Sequence, residues 1–237
     1  MIPFDSRHIG SASIVALSRH GGVSADPFGT LNVARYVGDN PDDVDTNIER
    51  VRVALQADGV AVMSAEHGRK VLRIIDAGQA PPADGLTTNV RGLALLALSA
   101  DCVPVALVDV KSNNIGVFHA GWKGVLANVA GAAVDQLVDY GSQPGNIYAV
   151  IGPAICAVCY EVDESRTALF TDVNPAAIVD ARHLDLVAGV HHSLIELGVT
   201  VDVMNGCTRE DDNLFSYRRH SVTGRGGIAV VLSKVES

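Results

Sequence analysis

Basic charge is scarce in this 237-residue chain: 18 lysines and arginines face 27 aspartates and glutamates, a formal net charge of −9. That balance excludes a broad electrostatic footprint for nucleic acid or an anionic membrane and leaves room for a local basic pocket. Cysteine is sparse too: Cys102, Cys156, Cys159 and Cys207 are too few for a disulfide scaffold in a chain of this length. The N-terminus, Met1-Ile2-Pro3-Phe4-Asp5, has no basic stretch followed by an apolar run. These two absences lead to the expectation of a reducing, cytoplasmic location. Long hydrophobic runs are missing as well. The most apolar window, Gly92 to Val110, is broken by Asp101 and Pro104 and falls short of the ~20 apolar residues of a membrane span. No long polar tract and no strong repeat divides the chain, and 48% hydrophobic residues suffice for a substantial core. A single domain over residues 1–237 is expected.

Helix and strand signals alternate along the chain. Pro41-Asp42-Asp43 opens a helix, with proline early and acids in the first turn; Val44, Ile48, Val51 and Leu55 then recur at helical spacing, and Gly59 is the expected stop. Val125 to Val138 carries a wide apolar stripe and predicts one helix ended by Gly141, and Leu186–Leu197 predicts another. Val60–Met63, Lys70–Ile75, Leu93–Leu98, Val103–Val110, Ile115–Phe118, Ile147–Ile151, Thr200–Met204 and Ile228–Leu232 read as strands. The pattern predicts a mixed α/β fold.

Three residues sit where such strands run into turns: His67 before Gly68, Cys102 in Ala100-Asp101-Cys102, and His119 in His-Ala-Gly-Trp-Lys-Gly. Two imidazoles and one thiolate make a three-donor set of the zinc type, with a fourth corner left for water or substrate. No two of them lie close in sequence, so the fold must bring them together. After His119, a turn into a helix offers backbone N–H groups, Gly121 and Gly124 permit close approach, and Lys123 adds a cation. Asp101, a charge between two apolar runs, calls for a partner and could orient an imidazole or hold a substrate hydroxyl. Phe215-Ser216-Tyr217-Arg218-Arg219-His220 with Arg225 is a basic knot in an acidic chain: its arginines suit phosphate, and Phe215 or Tyr217 could stack a base. A solvated loop of ion pairs is the plain alternative there. Cys156-x-x-Cys159 has no second such pair and reads as packing, and His191-His192 as a solvated pair on a helix.

Several segments stand together in one order: Asn32 with Val37-Gly38-Asp39, His67-Gly68, Asp84-Gly85-Leu86-Thr87-Thr88, Ala100-Asp101-Cys102-Val103-Pro104-Val105 and His119-Ala120-Gly121-Trp122-Lys123-Gly124. Ile151-Gly152-Pro153, Cys159-Tyr160-Glu161-Val162, Cys207-Thr208 and Phe215-Ser216-Tyr217-Arg218-Arg219 complete the set. On these motifs the chain resembles, over nearly its whole length, the YfiH-like family, also called laccase-domain or polyphenol-oxidase proteins. The resemblance implies an α/β (α+β) fold of two stacked mixed β-sheets between helical layers, related to cysteine hydrolases of the necrotizing-factor type. It implies one zinc on His67, Cys102 and His119. Asp101 is expected beside that set, and Asn32, Lys123, Tyr217 and Arg218 are expected toward the substrate. The activity implied is a purine nucleoside phosphorylase acting on adenosine, inosine, guanosine and methylthioadenosine with phosphate, and an adenosine deaminase using water. One departure stands out: the family usually has Gln and then an apolar residue before His-Gly, where this chain has Ala65 and Glu66.

Two alternatives remain open at this point, and a third, a copper oxidase, is discounted. A metal-free thiol hydrolase or amidase would use Cys102 as nucleophile and His119 as base, in the manner of relatives linked to editing of peptidoglycan precursors. A multicopper oxidase would need roughly ten histidines with many His-x-His pairs, whereas the chain has 8 histidines and no His-x-His. A pocket that only binds a nucleotide or a protein partner is the non-enzymatic reading.

Overall fold

The computed structural model describes residues 1–234. Two six-stranded sheets form its centre. One contains β1 (Pro3–Ile9), β2 (Ala12–Leu17), β3 (Gly59–Ser64), β5 (Gly78–Pro82), β7 (Leu93–Ser99) and β14 (Gly226–Leu232), in the order β1-β2-β14-β7-β3-β5. The other contains β4 (Val71–Arg73), β6 (Gly85–Thr88), β8 (Val103–Asp109), β9 (Asn114–Ala120), β10 (Ile147–Ile151) and β13 (Thr200–Val203), in the order β13-β10-β8-β9-β6-β4. Both sheets mix parallel and antiparallel pairs; β3 runs parallel to β7, whereas β8 and β9 form an antiparallel hairpin. A small ribbon pairs β11 (Ile178–Asp180) with β12 (His183–Leu184).

The two large sheets stack face to face, and period-2 alternation shows why their strands read as unbroken apolar runs. Leu95, Ala97, Ile228 and Val230 of one sheet meet Ala106, Val108, Ile115 and Val117 of the other in a shared core. The alternate residues of the first sheet, Leu96, Leu98, Ala229 and Val231, turn to its outer face and pack with Val51 of helix α1 (Pro41–Ala54). On the second sheet, Val105, Leu107 and Phe118 turn outward against α3 (Val129–Asp139) and α5 (Leu186–Glu196), after α2 (Trp122–Leu126) and α4 (Glu164–Ala168). A last short helix, α6 (Tyr217–His220), follows. The architecture is therefore two stacked mixed sheets between helical layers, as expected. Among the described residues, no helix is long and apolar enough to cross a membrane.

Two local expectations are corrected. The helix expected over Val125–Val138 is two helices, because Asn128 adopts a left-handed conformation (φ 58°) and its side chain accepts a hydrogen bond from the Gly131 amide at 3.0 Å. Asparagine tolerates that conformation and caps helices well, so it ends one and starts the next. The expected stop at Gly59 lies instead at Leu55, with Gln56 taking the left-handed turn (φ 54°) and Gly59 opening β3.

Candidate functional site

The site lies at one end of the stacked sheets, where strand ends from both meet. β7 of one sheet leaves through Ala100-Asp101-Cys102 and re-enters the other as β8. Register pairs Pro104 with His119 and Val103 with Ala120, so Cys102 and His119 emerge side by side. His67 arrives from the loop after β3, at the left-handed φ of 61°. The three expected donors converge: the ligand atoms of His67, Cys102 and His119 all lie within 4.8 Å of one another. The imidazoles of His67 and His119 stand edge to face, 5.0 Å between centroids at 83°.

Four observations test whether this set fits a metal ion. Nδ1 of His119 lies 2.8 Å from the Leu98 carbonyl; as a donor there, it leaves the Nε2 lone pair free. That Nε2 is buried and has no hydrogen-bond partner, a costly arrangement for a polar atom unless something else satisfies it. Burial pushes the His119 pKa below the ordinary imidazole range, against the opposing effect of its Leu98 hydrogen bond, and so favours the neutral, ligating form. Finally, Gly121 keeps the space between the donors clear. A Cβ there would lie 3.1 Å from Cys102 Sγ, 3.1 Å from His67 Cδ2 and 3.8 Å from His119 Nε2. The residues fit a zinc-type ion.

Beside the donors opens a cavity of about 440 Å³. Tyr36, Trp122, Tyr160 and Tyr217 supply aromatic walls, and Arg218 and Arg225 supply positive charge. The guanidinium of Arg218 lies 5.1 Å from the Tyr160 ring centroid and that of Arg225 lies 5.7 Å from that of Tyr217, within cation–π range. Tyr217 and Arg218, expected toward the substrate, both line this cavity. Ala65 also lines the cavity, while the Glu66 amide donates to Asp84 at 2.9 Å and its side chain is exposed. The departure from the family pattern therefore leaves a short side chain on the wall.

Other expected residues take different places. Asp101 lines the cavity, yet its carboxylate accepts hydrogen bonds from the Thr208 hydroxyl (2.7 Å), the Ser216 hydroxyl (2.7 Å) and the Arg218 amide (2.6 Å). The partner its burial demanded is the protein itself: it ties the Tyr217–Arg218 segment to the Cys102 turn and hydrogen-bonds neither imidazole. Asn32, expected toward the substrate, is fully buried. Its amide donates to the Ala34 carbonyl and the Asp39 carboxylate, and its oxygen accepts from the amides of Ala34 and Arg225. It builds the wall from behind. Lys123 is exposed outside the cavity lining, with its ammonium 5.6 Å from the Trp122 ring. Sequence reasoning passed over Tyr36, which had no local signal; Thr208 and Ser216 stood in the motifs without a role, which only their bonds to Asp101 supply.

A two-sheet α/β sandwich with a Cys-His-His donor set at its strand ends defines a class of metal-competent pocket protein. The family described as multi-copper polyphenol oxidoreductase laccase matches residues 13–233, and the chain belongs to that family. A Streptomyces griseus protein named purine nucleoside phosphorylase ORF3 is 40% identical over 91% of this chain and 92% of its own. Shigella flexneri purine nucleoside phosphorylase YfiH is 32% identical over 88% of each. Among solved structures, Bacillus licheniformis YfiH superposes with a TM-score of 0.87 at 29% identity, covering 94% of this chain and 93% of that one.

Proposed function

We propose that this chain is a zinc-dependent purine nucleoside phosphorylase with accompanying adenosine deaminase activity. The observation that carries the reading is the convergence of His67, Cys102 and His119, within 4.8 Å of one another, beside a cavity of about 440 Å³ walled by aromatics and arginines. The names of the relatives support its phosphorylase part. A zinc ion held there would supply a Lewis acid next to the bound substrate.

The rest of the chemistry falls to the chain's own groups. The faces of Tyr36, Tyr160 and Tyr217 suit a flat purine, and the planar forks of Arg218 and Arg225 suit the oxygens of phosphate. In phosphorolysis a phosphate oxygen bonds to ribose C1′ as the C1′–N9 bond breaks and the purine leaves with the electron pair. In deamination a water oxygen bonds to purine C6 and ammonia leaves. Substrates of this shape are adenosine, inosine, guanosine and methylthioadenosine. Asp101 acts as a positioning residue, holding the Arg218 main chain in place. A thiol hydrolase pairing Cys102 with His119 gives no role to His67, and a main-chain carbonyl rather than a carboxylate stands behind His119.

Cys102→Ala separates the readings. It is expected to lose zinc retention and turnover together, assayed by metal analysis and by mass spectrometry of products from adenosine. Ribose 1-phosphate with adenine reports phosphorolysis, and inosine reports deamination. Full activity in Cys102→Ala, or in chelator-stripped protein, would overturn the proposal.

A further inference from the structure

Away from the cavity's donors, a second set of soft ligands converges that the nucleoside chemistry does not use. The loop after β10 carries Cys156 and Cys159 at Cys-x-x-Cys spacing, and the loop after β13 carries Cys207 and Glu210 at Cys-x-x-Glu spacing. β10 and β13 are parallel neighbours, so both loops leave the same end of the sheet. Ala154 and Cys207 form a parallel bridge, and the Thr208 amide donates to the Ala154 carbonyl at 3.0 Å. The ligand atoms of all four side chains then lie within 4.8 Å of one another.

We infer that Cys156, Cys159, Cys207 and Glu210 form a second, structural site for a zinc-class divalent cation. Four donors from two loops match a closed tetrahedral shell, unlike the three-donor set at the cavity. With metal–sulfur bonds of ~2.3 Å, tetrahedral ligands stand ~3.8 Å apart, so the observed cluster needs only a small contraction to close. Three sulfurs select a soft or borderline ion over magnesium or calcium. Simple packing does not explain Glu210, whose exposed side chain could extend into water yet holds a carboxylate oxygen beside three sulfurs. No ion pair among the described residues engages it.

The surroundings carry the features that accompany metal thiolates. The Cys156 amide donates to Cys207 Sγ at 3.3 Å, the kind of outer bond that orients a ligating sulfur. The guanidinium of Arg219 bonds the carbonyls of Thr208, Arg209 and Asp211 at 3.0–3.1 Å, placing a positive charge against the turn that bears two of the ligands. All four cysteines are free thiols, so none of the three is consumed by a disulfide. The site's position indicates its role. Tyr160 of the cavity wall follows Cys159 directly, and Thr208, which holds Asp101, follows Cys207 directly. An ion here clamps together the two loops that support one wall of the cavity.

This inference stands apart from the nucleoside reading, because its test counts metal rather than turnover. Untagged full-length protein would be analysed for zinc per chain alongside Cys102→Ala and Cys207→Ser. The expected contents are about two equivalents for the wild type and about one for each variant. Cobalt substituted into Cys102→Ala is expected to give the intense sulfur-to-cobalt absorption of a multi-thiolate tetrahedral site. Glu210→Gln, which keeps every cysteine, covers the case in which Cys207→Ser does not fold: it is expected to release cobalt to a chelator at least tenfold faster. Loss of all zinc in Cys102→Ala with no thiolate–cobalt band, or a disulfide among the three cysteines in freshly purified protein, would overturn the second site.

Discussion

Gly121→Ala probes the cavity's donor set with one methyl group. Gly121 has φ −77° and ψ 174°, extended backbone that alanine adopts freely, so the substitution brings no conformational strain. The added Cβ would stand 3.1 Å from Cys102 Sγ and 3.1 Å from His67 Cδ2, well inside ordinary van der Waals contact, and 3.8 Å from His119 Nε2. Either the donors retreat by a few tenths of an ångström or the methyl occupies room the ion needs. Overpacking of this kind costs roughly 1–3 kcal/mol. Here the displaced atoms are the proposed ligands, so the cost is expected to fall on metal binding, and each 1.4 kcal/mol is about a factor of ten in affinity. Zinc affinity is therefore expected to fall about 10–100-fold, read by competition against a chromophoric chelator. The melting temperature of the metal-free protein should change little. Unchanged zinc affinity in Gly121→Ala, with a folded protein, would refute convergence of the donors on this space.

Other substitutions test the supports behind the cavity. Asp101→Asn removes a charge and at least one acceptor site from the bonds to Thr208, Ser216 and Arg218; a loss of roughly 1–3 kcal/mol in urea unfolding is expected. KM for phosphate should rise more than kcat falls, since Arg218 loosens while the donors stay. Asn32→Ala leaves the buried amide of Ala34 and the half-buried amide of Arg225 without their acceptor, at up to roughly 1–3 kcal/mol for an unmet group; a stability unchanged by calorimetry would count against its scaffold role. Asp109 gives a pH signature. Its burial raises its pKa, but the amides of Lys111 and Ser112 and the Ser112 hydroxyl outweigh that and hold it below the ordinary carboxylate value. A carboxylate with a depressed folded pKa stabilises the protein above its unfolded value of ~3.9, and that contribution is lost as pH falls through the folded value. Asp109→Asn should be less stable than wild type at pH 7, and the gap in urea midpoint should shrink as pH falls below ~4.

Strand runs and their turns were legible because each is a local property. Leu93–Leu98 is apolar at every position and Val103–Val110 at all but Asp109, and a strand buried on both faces has no polar side to show. His67, Cys102 and His119 were legible as donors because each sits at a turn near the end of an apolar run. Short strands such as β5 and β6 were not, since their pairing partners rather than their own residues define them. Asn128 hid a helix break inside an apolar stripe because its capping bond leaves no mark on the periodicity.

By itself the sequence determined the α/β class, the family motifs and the chemical type of each candidate donor, all of which follow from residue identity and spacing along the chain. Only the tertiary structure decided which polar groups are already satisfied. It turned Asp101 and Asn32 inward as supports and left Nε2 of His119 unpartnered beside Cys102. It also carried Cys207 and Glu210 to Cys156 and Cys159. The physical reason is that a donor's function depends on what already bonds it, and those bonds run between segments that meet only when two sheets stack and their loops close over one end.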